Sequence, residues 1–160
     1  MNPKVITNKE ILSKAETLHS EGKIVVTTNG SFDILHSAHL RLLEKARQQG
    51  DVLIILLNSD ASIQRAKGPK RPIIPEQERA YMLSTLGCVD YITLFTEDTP
   101  IHLLTEIKPN IHVKGGSVNP ERMKEEQELV STWGGEFRQF DLEEGFSTTN
   151  IIQVILQRHK

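Results

Sequence analysis

The stretch Thr27-Thr28-Asn29-Gly30-Ser31-Phe32-Asp33-Ile34-Leu35-His36-Ser37-Ala38-His39 decides how this chain is read. Before it stands Ile24-Val25-Val26, short, β-branched and apolar; after it, Leu40, Leu42, Leu43 and Ala46 follow a helical period and end near Gly50. The stretch is therefore a strand-to-helix turn holding a glycine, an aspartate and two histidines. The first N–H groups of a helix have no partner within it, and they carry the positive end of its dipole. An α/β protein holds phosphate at such a turn.

The rest of the chain repeats the alternation. Thr7-Asn8-Lys9-Glu10 has capping-box spacing ahead of Ile11, Ala15 and Leu18, with Gly22 as a stop. This first helix, within residues 1–22, is expected as an appendage on one side of a core that fills a single domain over 1–160. Val52 to Leu57 reads as a second strand, Val89 to Phe95 as a third, Ile111 to Val113 as a fourth and Glu136 to Phe140 as a fifth. Ser62 to Pro75 reads as a basic, proline-broken loop. Helices are expected from Pro75, with Arg79, Met82, Leu83 and Leu86, and from Thr99-Pro100, with Ile101, Leu104 and Ile107 inward. Two more follow: a highly charged one over about 119–132, and a last one capped by Ser147-Thr148-Thr149, with Ile151, Ile152 and Ile155 inward. Runs that are apolar on both faces fit central parallel strands. The fold class is α/β: a Rossmann-like, doubly wound, five-stranded parallel sheet with helices on both faces. Ligands of such sheets sit beyond the carboxyl ends of the strands. The central turn, the basic loop, Lys114-Gly115-Gly116 and Gly145 to Thr149 all follow strands, so they are expected at one edge.

The totals narrow the function. The formal net charge of −2 lacks the basic excess of a nucleic-acid or membrane-surface binder. A lone cysteine, Cys88, excludes a disulfide framework and a cysteine-rich metal site, and fits a reducing compartment. Met1-Asn2-Pro3-Lys4 opens no signal-peptide core, and no apolar run nears the roughly 20 residues of a membrane span. A soluble cytoplasmic protein is expected. His36 and His39, three apart at a helix start, can face the same way and form a polyphosphate site. The alternatives are a solvated cap paired with a packed core histidine, or a metal site, which His-x-x-His spacing does not favour.

The segment Gly30 to His39 resembles the signature of the nucleotidylyltransferase superfamily, written around His-x-Gly-His. The resemblance covers nearly the whole chain. Asn58-Ser59-Asp60, Lys67-Gly68 with Arg71-Pro72, Glu78-Arg79, Glu97-Asp98-Thr99-Pro100, Val113-Lys114-Gly115-Gly116 and Gly145-Phe146-Ser147-Thr148-Thr149-Asn150-Ile151-Ile152 fall in the family's order. The nearest branch is the adenylyltransferase of ADP-heptose synthesis, often fused to a sugar kinase and here expected as a stand-alone version. The resemblance implies that ATP and D-glycero-β-D-manno-heptose 1-phosphate give ADP-heptose and pyrophosphate, a lipopolysaccharide core precursor. Mg²⁺ would accompany ATP without a dedicated protein ligand. A separate sugar kinase and a homodimer are the further partners it suggests. The attacking group is already an anion, so positioning and cationic donors carry the reaction, with no general base.

On the same footing, His36, His39 and Lys67 are the expected catalytic residues, the histidines serving the α- and β-phosphate oxygens. Nucleotide contacts fall to Asn29, Gly30, Ser31 and Phe32 besides the histidines, and to Lys114, Gly115 and Gly116. Ser147, Thr148 and Thr149 would hold the β- and γ-phosphates, or only cap their helix. Asp33, Lys67, Arg71 and Arg79 are assigned to the sugar phosphate. Asp33 could instead orient its own turn, Arg79 could be a salt-bridge residue, and Phe32 could serve packing. Three departures stand out. Ala38 replaces the glycine between the histidines, where its methyl would stand close to the nucleotide. Ser117 replaces an aspartate of the heptose enzymes. Leu142 stands where glycerol-phosphate cytidylyltransferases have arginine. Other acceptors, such as glycerol 3-phosphate or phosphopantetheine, and a catalytically weakened nucleotide-binding domain are the competing readings.

Overall fold

A computed structural model describes residues 2–116, 119–141 and 145–160. The elements alternate: α1 Asn8–Ser20, β1 Val25–Gly30, α2 Ser37–Arg47, β2 Val52–Asn58, α3 Asp60–Lys67, α4 Glu76–Ser84, β3 Tyr91–Phe95, α5 Ile101–Ile107, β4 Ile111–Gly115, α6 Pro120–Ser131, β5 Glu136–Phe140 and α7 Thr148–Arg158. The five strands form one parallel sheet in the order β3-β2-β1-β4-β5. This is the doubly wound, Rossmann-like arrangement.

β2 shows why the sheet is covered on both sides. Leu53, Ile55 and Leu57 join one core with Leu42 and Leu43 of α2 and Ala80 and Leu83 of α4. Val52, Ile54 and Leu56, pointing the other way, join a second core with Ile11, Ala15 and Leu18 of α1 and Leu103, Leu104 and Ile107 of α5. At about 1.5–3 kcal/mol for each large side chain buried, these two layers dominate the stability. α1 is tied down at its start by a reciprocal capping box. Thr7 N–H donates to Glu10 Oε2 at 2.7 Å, and Glu10 N–H donates to Thr7 Oγ1 at 3.2 Å.

The architecture matches the expectation, with local differences. The segment from Ser62, expected as loop, is helical: α3 starts at Asp60, capped by Ser59, whose side chain accepts from Ser62 N–H. Buried Ser62 and Ile63 anchor it, and Arg65 and Lys67 are exposed, Lys67 at its last residue. β1 and β4 run farther than their apolar cores, into Thr27–Gly30 and Lys114-Gly115. β3 starts later, at Tyr91. In α5, Leu103 is buried in place of Ile101. α7 buries no residue, and Ile155, expected inward, is exposed.

The chain leaves β1 toward β2 on one side, and β4 occupies the other. The strand order reverses between β1 and β4, and a crevice opens there at the carboxyl ends.

Candidate active site

The crevice is a cleft of about 480 Å³, and the strand-end segments singled out in the sequence converge on it. Asn29 to Asp33, His36 and His39 line one wall; Lys67 and Arg71 line a second; Lys114 to Gly116 and Phe146 to Thr149 complete it.

The histidines lie where β1 passes into α2. Phe32 turns the chain through φ +46°, an unfavourable conformation for a residue with a side chain. Its ring folds back over Gly30, where a Cβ would stand 3.0 Å from a ring carbon. That contact accounts for the glycine. Phe32 then meets the edge of His39, with centroids 5.4 Å apart, and His39 stacks on His36 at 3.8 Å and 24°. The Nδ1 atoms of both histidines are buried and have no hydrogen-bond partner. Burial pushes the His36 imidazole below its ordinary pKa. For His39, burial first, then His36 and Lys67, bring the value down to about 4. Both rings are neutral at pH 7, so they stack without charge repulsion. His36 is also the N-cap of α2, and its side chain makes no capping bond. The first α2 amides thus lack the side-chain cap that α1 has.

The cationic wall is braced from beneath. Asp33 is 2% exposed and accepts from Arg71 Nε at 2.6 Å, Ile73 N–H at 2.8 Å and Ile74 N–H at 2.9 Å. Burial raises its pKa, but these donors together outweigh that and hold the carboxyl below its usual range. Asp33 thereby fixes the loop that presents Arg71. Lys67, the last residue of α3, donates to Ser31 Oγ at 3.1 Å. Partial burial and then the neighbouring Arg71 lower its pKa.

Arg79, expected at the substrate, is fully buried and does not line the cleft. Its guanidinium donates to the carbonyls of Ile74 (2.9 Å), Ser31 (2.7 Å) and Asn58 (2.8 Å) and to Asp60 Oδ1 (2.7 Å). It ties together the ends of β1 and β2 and the Arg71 loop, so the structure corrects its assignment from ligand to strut.

Across the cleft, Lys114 is 7% exposed, donates to Asn29 Oδ1 at 2.7 Å and pairs with Glu126 Oε1 at 3.1 Å. A Cβ at Gly115 would lie 2.4 Å from a methyl of Leu42, so close packing on α2 requires glycine there. Ser147 caps α7 by accepting from Asn150 N–H at 3.0 Å, which leaves the start of a second helix at the cleft.

Ala38 is 2% exposed and is not among the lining residues; its methyl is in the core rather than beside a ligand. Ser117 and Leu142 lie outside the described residues. Sequence reading missed several lining residues, among them Asp98, Asn119, Arg122 and Glu126. One signal pointed to Glu126: His112 and Lys114 alternate along β4, placing two polar groups on one face of an otherwise apolar strand. No helix among the described residues is long and apolar enough to cross a membrane.

The cytidylyltransferase-like family model matches residues 27–154. The bifunctional protein HldE of Syntrophotalea carbinolica is 48% identical over 157 residues, covering 98% of this chain and 32% of that protein. HldE of Helicobacter pylori is 46% identical over 154 residues, covering 96% and 32%. The chain therefore spans about a third of the length of these relatives. Among solved structures, the lipopolysaccharide core biosynthesis protein of Thermoplasma volcanium GSS1 has a TM-score of 0.62 at 30% identity, covering 76% of this chain and 98% of that one. Pantoate-beta-alanine ligase of Francisella tularensis has a TM-score of 0.62 at 14% identity, covering 96% and 79%, a likeness of fold alone.

Proposed function

The chain belongs to the cytidylyltransferase-like family and is a nucleotidylyltransferase; we propose that it transfers AMP from ATP to D-glycero-β-D-manno-heptose 1-phosphate, releasing pyrophosphate. An oxygen of the sugar phosphate bonds to the α-phosphorus, and the bond from that phosphorus to the bridging oxygen breaks. Both reactants are anions, so the barrier lies in bringing them together and in the charge that builds on the α-phosphate.

One observation carries this reading. His36 and His39, at the start of α2 where no side chain caps the helix, line the same cleft as Lys67 and Arg71. In their neutral forms the imidazoles each keep one N–H, available to the α- and β-phosphate oxygens. Ser147, Thr148 and Thr149, at the start of α7, take the outer phosphates. Lys67 and Arg71 take the sugar phosphate, and Asp33 acts through Arg71. Asn29, Gly30, Ser31, Phe32, Lys114, Gly115 and Gly116 frame the nucleotide.

Mg²⁺ enters with ATP, as part of the substrate. The lining carboxylates of Asp33, Asp98 and Glu126 are already paired with Arg71, Arg65 and Lys114, so phosphates and water hold the ion. A cytoplasmic location, a homodimer and a separate sugar kinase that supplies the acceptor complete the proposal.

The test is pyrophosphate release from ATP and from CTP, each with heptose 1-phosphate, glycerol 3-phosphate or phosphopantetheine. Release with ATP and heptose 1-phosphate is expected. Release with another acceptor alone would reassign the substrate. Tight ATP binding with no acceptor-dependent release would make the protein a nucleotide-binding module.

A further inference from the structure

Beneath the β1–β4 crevice lies a two-rung ladder of polar side chains. On β1, Thr27 and Asn29 share a face; on β4, His112 and Lys114 do. Thr27 and His112 are register partners. Glu126 reaches down from α6 and divides its carboxylate between the rungs: Oε2 lies 3.3 Å from His112 Nε2, and Oε1 lies 3.1 Å from Lys114 Nζ. The lower rung is sealed, with Thr27 and His112 both at 0% exposure. The upper rung opens into the cleft through Asn29, Lys114 and Glu126.

The proton positions follow from the partners. A carboxylate can only accept, so His112 Nε2–H donates to Glu126. His112 Nδ1, 2.7 Å from Thr27 Oγ1, then accepts the Thr27 hydroxyl proton. Burial keeps the ring neutral, which this arrangement requires. Lys114 places one N–H on Glu126 and one on Asn29, and the third has no partner among the described residues.

Stability does not account for such a cluster. Desolvating an ion pair is costly, and apolar side chains of similar volume are often as stable or better. The ladder has a second property. Glu126 cancels the charge of Lys114 on the floor of this half of the cleft, while Arg122, one turn earlier on α6, also lines it. A neutral, fixed donor suits an uncharged oxygen or nitrogen, such as a ribose hydroxyl or a base atom, better than phosphate.

We propose that His112 and Glu126 are positioning residues for the nucleoside: they hold Lys114 so that its remaining N–H meets the sugar or base, and they keep that end of the cleft from competing for phosphate. This rests on the nucleotidylyltransferase reading above. The preference for ATP over inorganic tripolyphosphate isolates it, because tripolyphosphate lacks the nucleoside and binds only at the histidine end.

Calorimetric titration of both ligands into the whole chain and into Glu126→Gln is the experiment. Glutamine keeps the volume and can still bond both neighbours once His112 changes tautomer. The preference for ATP is expected to fall about tenfold, because the charge of Lys114 is no longer cancelled, with tripolyphosphate affinity unchanged or higher. A double variant, Lys114→Met with Glu126→Leu, removes the pair together and should lower the preference as much. Equal weakening of both ligands, an unchanged preference in a folded variant, or failure of both variants to fold would overturn the proposal and leave the ladder a structural role. Wild-type protein that binds tripolyphosphate but no nucleoside triphosphate would instead overturn the functional reading itself.

Discussion

At one end of the cleft polar groups are left unfinished; at the other most of them are paired. His36 and His39 carry buried nitrogens without partners, and α2 begins without a side-chain cap. Some 75 residues on in sequence, Lys114 bonds to Asn29 and Glu126, and Glu126 is held in turn by His112. Under the proposed function the contrast gives each end a different part of the nucleotide. A buried group without a partner is costly, and such groups recur at sites built for function rather than for stability. A saturated network gains little from a new charge but holds its one remaining donor still. The first arrangement suits polyphosphate, and the second suits a neutral nucleoside.

The largest expected effect tests the unfinished end. His36→Ala and His39→Ala should each cut turnover by roughly 10²–10³, the scale for losing one donor to developing charge. Unfolding midpoints should move little, because truncation also removes an unsatisfied nitrogen. Steady-state rates beside thermal melts separate the two. Wild-type turnover in either variant would show that reaction occurs elsewhere.

Next is the strut beneath the β1 and β2 ends and the Arg71 loop. Arg79→Met leaves the Ser31, Asn58 and Ile74 carbonyls and the Asp60 carboxylate without their donor. Urea denaturation should show a loss of about 3 kcal/mol, typical of a broken buried pair. A loss under 1 kcal/mol would mean that β1 and β2 hold the turn without it.

Titration sharpens the comparison further. His39 has a pKa of about 4 in the folded chain, below the ordinary value of 6.5. Between those values the unfolded chain binds more protons, so the ligand-free fold should lose stability as pH falls from about 6.5 to 4. A polyphosphate favours the charged imidazole, so binding should take up protons. Calorimetry at pH 6 in buffers of different ionisation enthalpy measures that uptake. None would mean that the rings stay neutral against the ligand.

Much of this was legible in the residues. Apolar runs over Val52–Leu57 and around Val25-Val26 specify buried parallel strands, and the strand-end placement of Gly30, Lys114 and Ser147 follows from alternation alone. What escaped depends on partners distant in sequence. Arg79 reads as a substrate contact or a salt-bridge residue; it does pair with Asp60, but only the closing of three carbonyls around it makes it a strut. Glu126 sits in the run Lys124-Glu125-Glu126-Gln127-Glu128, where nothing local sets it apart. α3 was hidden because its basic residues suggested a loop, while the Ser59 cap and the burial of Ile63 decided for helix.

The smallest expected effect concerns Ala38. From the sequence its methyl would crowd the nucleotide; in the fold it is buried in the first turn of α2, away from the lining. Ala38→Gly then removes a packed methyl and adds backbone freedom to a helix start. Both costs fall on the fold, about 1 kcal/mol together. ATP affinity should hold within about threefold, since neither histidine loses a neighbour in the cleft. A thermal melt and an ATP titration on one preparation measure both quantities. Were affinity instead to rise tenfold with stability unchanged, the methyl would be pressing on the ligand after all. The unfinished end would then be partly blocked by its own helix, in contrast to the open nucleoside side.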